Sequence, residues 1–348
     1  MTRSTNYRIS DAQLALLGPP LDTLSGNGHR VQVAEAVTIR RDVYRLALDG
    51  ARYPSVVVKR VPSLRSQLEH RVIDRWLPAV GLDGFGPPRL VAVGEPDGRH
   101  TWHVYDDLGP HGLDRNDVDE DSIVAAMDKV AELHAEFARH AMMPEPRYAA
   151  FDMGVHYYVK SVRDALRSVQ LLRPPVVPMS DEDEALRDRL LDLLTGLVDD
   201  EANRLRLLHH QAGPETLVHG DLTRANVFVM SENGRRRVRL IDWDRCGVAP
   251  AGFDISTHLA YYEEPERRVV HESYSAAMAA RGFAFPSDLD WDLLVSTFEA
   301  GRLANQIIWV ALGIQEGNGW TFAELSAWLG KLAAVVDGTP RGLARGPV

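Results

Sequence analysis

The chain is poor in cysteine, in lysine and in uninterrupted apolar sequence. Cys246 is its one thiol, and four lysines (Lys59, Lys129, Lys160 and Lys331) stand among 39 basic residues. A single cysteine excludes an internal disulfide and fits a reducing compartment, so a cytoplasmic location is expected, with Cys246 read as a packing residue. Met1 to Ser10 lacks the apolar stretch of a secretory signal. The best candidate for a membrane span, Leu293 to Ile314, carries Glu299 and Arg302 and reads as a buried helix instead. Positive charge is short as well. A net charge of −10 argues against nucleic acid as the main partner and fits a neutral or basic small molecule. What is present suits a sizeable enzyme: 348 residues, 45% of them hydrophobic, are enough for two domains or one large two-lobed unit. Oligomeric state has no signature.

The chemistry concentrates in Val218-His219-Gly220-Asp221-Leu222-Thr223-Arg224-Ala225-Asn226 and in Leu240-Ile241-Asp242-Trp243-Asp244. Val227-Phe228-Val229 and Val238-Arg239-Leu240-Ile241 read as strands, with Ser231-Glu232-Asn233-Gly234 as the turn between them. Such a hairpin returns Asp242 to the side of Asn226. An Asp can orient and deprotonate a hydroxyl, and an Asn with a second Asp can supply hard oxygen ligands to Mg²⁺, which needs few protein ligands. The bland alternative makes Asp221 and Asn226 turn formers and Asp242 a strand end.

Together with Phe253-Asp254-Ile255-Ser256, these residues resemble the signature of the aminoglycoside phosphotransferase and choline kinase group. The resemblance runs from about Val56 to Asp254. It implies an α+β, bilobal protein-kinase-like fold: a small N-terminal antiparallel sheet lobe with one helix (1–107) and a larger, mostly helical C-terminal lobe (108–340). Residues 341–348 read as a disordered tail. It further implies Asp221 as catalytic base, Asn226 and Asp242 as metal ligands, and His219 and Asp254 as supports of the catalytic loop. The implied reaction moves the γ-phosphate of Mg²⁺-bound ATP or GTP to a hydroxyl of a small molecule, either an antibiotic of aminoglycoside or other type or a sugar or amino-alcohol metabolite. No Ala-Pro-Glu element of the protein-kinase kind follows Asp242, which disfavours a polypeptide acceptor.

Other segments fit this frame. His29 to Val37 and Val43 to Leu48 alternate as strands, and Ser55-Val56-Val57-Val58-Lys59 is an apolar run ending on a rare lysine, placed to pair phosphates. Pro62-Ser63 opens a helix through about Leu77 that carries Glu69, the family's partner for that lysine. Thr101 to Tyr105 leads into Asp106-Asp107-Leu108-Gly109, similar to the family's hinge, where the backbone of Asp106 and Leu108 would meet the base. Asp121 to His140 reads as a helix with His134 as a buried structural residue, and Ser180 as the N-cap of another through Val198. His209-His210 lacks the spacing of a metal site. Tyr261, Tyr262, Glu263, Glu264, Glu299, Trp309, Glu316 and Trp320 are possible walls for an acceptor, whose binding residues stay unassigned.

One departure stands out. A kinase covers its phosphates with a glycine-rich loop between the first two strands. Here that place holds Thr38-Ile39-Arg40-Arg41-Asp42, without glycine. Thr38, backbone amides and Arg40 or Arg41 could still serve the phosphates, or the arginines could face solvent. Two other readings follow from the departure and the carboxylates: a catalytically impaired nucleotide-binding sensor of the same fold, and a metal-dependent hydrolase.

Overall fold

Residues 8–26, 28–115 and 118–338 are described by a computed structural model; the expectation for 341–348 lies outside them. The chain forms two compact units, Met1–Asn116 with Asn226–Arg245, and Asp117–Ala225 with Cys246–Val348. The division falls at 116 rather than 107, and the hairpin carrying Asp242 returns to the first unit.

In the first unit β1 (Gln32–Arg40), β2 (Val43–Asp49), β3 (Ser55–Pro62), β4 (Arg89–Gly94) and β5 (His100–Asp106) make an antiparallel sheet in the order β1-β2-β3-β5-β4. Strand β1 lies at the edge and is mostly exposed, so its apolar alternation is weak and its start sits three residues later than His29. Period-two alternation places Val56 and Val58 on one face of β3, where they pack with Leu46, Trp102 and Val104. Leu17 and Leu21 of helix α1 (Asp11–Asp22) join this core, and full burial stabilises each such side chain by about 1.5–3 kcal/mol. Helix α1 adds to the one helix read from the sequence. Its Ser10–Gln13 capping box starts it, and Pro19 and Pro20 sit in its last turn.

Lys59 takes the opposite face from Val58. Helix α2 (Ser63–Arg71) packs against β3 and β5 and runs on through a π-helical turn, Val72–Trp76, into the short α3 (Leu77–Ala79). The last pieces of this unit are β8 (Val227–Glu232) and β9 (Arg235–Leu240), paired from Val227↔Leu240 to Glu232↔Arg235. Asn233 and Gly234, both at positive φ (51° and 73°), are the whole turn, so the strands run further than the apolar residues suggested.

The second unit is mostly helical. Helices α6 (Val155–Gln170), α7 (Asp181–Asp199), α8 (Glu201–His210), α11 (Trp291–Glu316) and α12 (Phe322–Val336) enclose a core that includes Val162, Leu194, Leu208, Leu303, Ile307 and Leu329. Ser180 caps α7 with a capping box to Asp183. Helix α4 (Glu120–Arg139) packs on α10 (Glu266–Ala280). A small sheet, β6 (Phe151–Asp152), β10 (Gly247–Pro250) and β7 (Glu215–Val218), leads into the His219–Asn226 segment, and α9 (Gly252–Leu259) follows β10. The short α5 (Pro144–Ala149) links α4 to β6. Among the described residues no helix is long and apolar enough to cross a membrane.

Candidate active site

The first unit gathers a charged cluster around Lys59. The amide of Ile241 donates to the carbonyl of Asn226 at 3.0 Å, so Asn226 and Asp242 end the same hairpin side by side. Two anchors hold that end. Leu240 and Arg239 bond to the carbonyls of Phe85 (2.9 Å) and Gly86 (2.7 Å), and buried Trp243 donates to Leu240 O at 2.9 Å while packing on Phe85. Asp242 itself has φ +69°, a conformation uncommon for residues with a side chain and tolerated best by Asp and Asn.

Lys59 Nζ bonds to Asp242 Oδ1 and lies 3.8 Å from Glu69 and 3.6 Å from Asp244. Arg40 bonds to the other oxygen of Asp242, Oδ2, and Arg65 lies 3.7 Å from Asp244. Three carboxylates thus face three cations. Burial by itself would raise the Asp242 carboxyl, but Lys59 and Arg40 more than offset it, and the group is held well below the usual range. Burial pushes Asp244 up. Burial would lower Lys59; Glu69, Asp242 and Asp244 outweigh it and raise its ammonium well above the ordinary lysine value. Glu69, almost fully buried, is likewise lowered on balance, with Lys59 and His103 overcoming burial.

Glu69 is held from behind. Tyr105 donates to its Oε1 at 2.8 Å, His103 Nδ1 meets the Tyr105 hydroxyl at 2.6 Å, and Ser66 meets His103 Nε2 at 2.7 Å. The bonds form one chain, Ser66 to His103 to Tyr105 to Glu69. Sequence reasoning missed Ser66, His103 and Tyr105. Alternation in β5 could have placed His103 and Tyr105 on one face, but not opposite Glu69.

At the expected hinge, the Asp106 amide donates to Pro88 O at 3.0 Å, so what Asp106 can offer a purine is its carbonyl. Asp107 fixes the segment: its carboxylate accepts from Arg45 Nε (2.7 Å), Ser55 Oγ (2.8 Å) and the Gly109 amide (3.0 Å). Leu108, between them, is half-buried.

The second unit builds the Asp221 loop on Asp254. This fully buried carboxylate accepts from the amides of His219 (2.6 Å) and Gly220 (3.0 Å) and from His134 Nε2 (3.1 Å). Burial would raise it, but the His134 bond and the positive surroundings hold it below the usual range. His134 Nδ1 in turn meets the Tyr274 hydroxyl at 2.7 Å, and the Thr216 hydroxyl donates to His134 O. Gly220, at φ +81°, makes the bend that lets both amides point at one carboxylate. His219 Nδ1 accepts from the Asp221 amide at 3.3 Å, and His258 Nδ1 donates to Leu222 O at 3.1 Å. Asp221 itself is partly exposed, within electrostatic reach of Tyr261 and Arg302.

Of the possible acceptor walls, Glu299 is buried and paired with Arg302, so its charge is already used. Glu263, Glu264 and Glu316 are exposed, as is Trp309, while Trp320 lies over Gly313, where a Cβ would collide with its ring. His209 and His210 end α8 with their rings side by side. Cys246 is buried.

A carboxylate loop braced by a buried Asp, a Lys–Glu pair on a sheet and its helix, and an Asn and Asp on one hairpin end define a kinase-like phosphotransferase. The chain belongs to the phosphotransferase enzyme family, whose sequence model matches residues 36–289. It is an enzyme, a phosphotransferase. Three solved structures share the fold. A spectinomycin phosphotransferase in complex with ADP and spectinomycin is 14% identical, with a TM-score of 0.62 over 96% of this chain and 99% of that one. The GDP complex of an aminoglycoside 2′-phosphotransferase is 17% identical, with a TM-score of 0.62 over 93% and 98%. A choline kinase from Cryptosporidium parvum is 14% identical, with a TM-score of 0.56 over 96% and 98%. No curated protein matches the sequence.

Proposed function

We propose that this kinase transfers the γ-phosphate of ATP or GTP to a hydroxyl of a small antibiotic or of a related sugar or amino alcohol. The observation that carries the reading is the gathering of Lys59, Glu69 and Asp242 in one cluster, with Asn226 on the same hairpin end. The residues fit Mg²⁺: an amide oxygen and a carboxylate held ionised are the hard donors that ion takes. Asn226 and Asp242 would hold it, and when bound it neutralises charge on the phosphates.

The chain's own residues do the rest. Lys59, braced by Glu69, pairs the donor's α- and β-phosphates; the backbone of Asp106 and Leu108 meets the base. Asp221 orients the acceptor hydroxyl. As the acceptor oxygen bonds to the γ-phosphorus, the bond to the β-bridging oxygen breaks, the nucleoside diphosphate leaves, and the hydroxyl proton passes to the Asp221 carboxylate. That transfer comes late, because a loose transition state asks little base strength. His219, Asp254, His134 and His258 keep the loop in shape. Spectinomycin and an aminoglycoside enzyme among the structural relatives, and choline as the substrate of a third, support the acceptor class.

The test is nucleotide consumption with Mg²⁺ across a panel of hydroxyl-bearing antibiotics and amino alcohols, with ATP and with GTP. An acceptor that raises turnover and gains the mass of a phosphate identifies the substrate. Asp221→Ala is expected to lower kcat by roughly 10²–10⁴, with nucleotide affinity little changed. Nucleotide binding with no acceptor-dependent turnover across the panel would favour the sensor reading, and phosphate release without acceptor the hydrolase.

A further inference from the structure

Both oxygens of Asp242 accept from protein cations, Lys59 on one and Arg40 on the other. Lys59 comes from β3 and is buried; Arg40 is the last residue of β1 and its side chain is about half exposed (47%). The turn is short. Arg40 pairs with Val43, leaving Arg41 and Asp42 as the connection, with Asp42 at φ +61°. The Asp42 carbonyl accepts from the Arg60 amide at 2.8 Å, which ties the turn to β3.

The register shifts by one residue between Thr38 and Arg40. Ile39 is the extra residue of a bulge, and a bulge changes the face to which the next side chain points. Without it Arg40 would share the face of Thr38. The bulge and the turn therefore place a guanidinium where other kinases bring glycine amides to the phosphates. Two connecting residues expose few amides; an arginine supplies five donors on a long arm.

Charge balance says when that arm moves. Arg40, Lys59 and Arg65 match Glu69, Asp242 and Asp244, so a divalent cation arriving alone would leave the cluster with an excess of two positive charges. The same cation arriving on the phosphates of a nucleotide brings its own compensation. We propose that Arg40 is a two-position residue: it occupies Asp242 in the free enzyme and exchanges that carboxylate for the donor's phosphates when the metal–nucleotide complex enters. Arg40 thereby stands in for a glycine-rich cover and opposes metal binding without nucleotide. This inference rests on Asp242 being a metal ligand.

The test separates the two ligands. Affinity for Mn²⁺ alone, read by electron paramagnetic resonance of the free ion, is expected to rise about five-fold in Arg40→Ala, the worth of one partly exposed ion pair. Affinity for Mg²⁺ with a non-hydrolysable ATP or GTP analogue, read by calorimetry, is expected to fall about 10- to 100-fold, as for a lost charge-assisted bond. Arg40→Lys should keep the weak Mn²⁺ affinity of the wild type and recover part of the nucleotide affinity. Arg30→Ala, which removes an exposed charge ahead of β1 and away from the cluster, should move neither by more than about two-fold, the scale of an exposed charge. Opposite signs for the two ligands in Arg40→Ala support the exchange; same-sign changes, or none for the nucleotide, overturn it. Asp242→Asn is the reference. If it abolishes Mn²⁺ binding while Arg40→Ala has no effect, the exchange alone fails; if it leaves Mn²⁺ binding intact, the metal reading fails with it.

Discussion

Glu69 shows what a single buried carboxylate needs. One of its oxygens takes the Tyr105 hydroxyl, and the other lies within 4 Å of Lys59 and of His103. Removing the hydroxyl in Tyr105→Phe leaves Glu69 Oε1 and His103 Nδ1 without that partner, both out of solvent. The expected loss is about 1–3 kcal/mol in urea denaturation at unchanged m-value. Nucleotide affinity should weaken with it, because Lys59 loses its fixed counter-ion. A variant as stable as the wild type would show that the relay is not holding Glu69. Lys59, Glu69, Asn226 and Asp242 were legible because each sits at a marked place: the last residue of an apolar run, a helix face, the two ends of a hairpin. Tyr105 was not. Its contact spans 36 residues and joins a strand to a helix through side chains that could as well serve a core. Asp107 was hidden for a similar reason, since nothing in the adjacent pair Asp106-Asp107 says which carboxylate meets Arg45 and Ser55.

Glycine shows how elements constrain their own residues. Gly234 closes the β8–β9 turn at φ +73°, and Gly196 lies exposed within α7; a Cβ at either would meet nothing within 4 Å. Space is equal, so backbone conformation decides the sign. Gly234→Ala should destabilise by about 1–2 kcal/mol through left-handed strain. Gly196→Ala should stabilise by about 0.5–1 kcal/mol through a less flexible unfolded chain and better helix propensity. Thermal denaturation of the two variants would show midpoints shifted in opposite directions, and a shift of the same sign would refute the argument. The hairpin was legible from Asn233-Gly234, and α7 from Ser180 and its acidic first turn. Two features escaped at this scale. The π-helical turn at Val72–Trp76 adds a residue that no apolar period reports, and the bulge at Ile39 lies on an exposed edge strand without strong alternation.

For the whole molecule, acid is the informative perturbation. His258 is fully buried, and burial lowers its pKa from the ordinary 6.5 to about 4. Above pH 6.5 it is neutral in both states and stability does not depend on it. Between 6.5 and 4 the unfolded chain takes up a proton that the folded chain refuses, so stability falls as pH falls, by roughly 3 kcal/mol in all. Asp254 works in a lower window. Its depressed carboxyl contributes stability above the ordinary 3.8, lost only as pH drops through its folded value. Urea denaturation of the wild type and of His258→Asn from pH 7 to 4 would separate the two. The variant should lack the loss in the upper window, and parallel curves would mean that His258 is not kept neutral. The two-lobed class was legible from motif order, since a lysine strand, a helix with Glu and the hairpin from Asn226 to Asp242 follow one another in the chain. The return of Asn226–Arg245 to the first unit was not, because local pattern does not report which distant strands a hairpin joins.

That return sets an order of assembly. Lys59 leaves the ribosome 183 residues ahead of Asp242, an interval of roughly 10–40 s at ordinary rates of synthesis. During it the growing first unit already holds Lys59 and Glu69, together with the helix and strand that carry them, but neither Asn226 nor Asp242. The Lys–Glu pair, with Tyr105 and His103 behind it, can neutralise itself in the meantime. A nascent chain that stops before residue 226 would therefore display a paired lysine with neither Asn226 nor Asp242, so the proposed metal pair is complete only once most of the chain has been made.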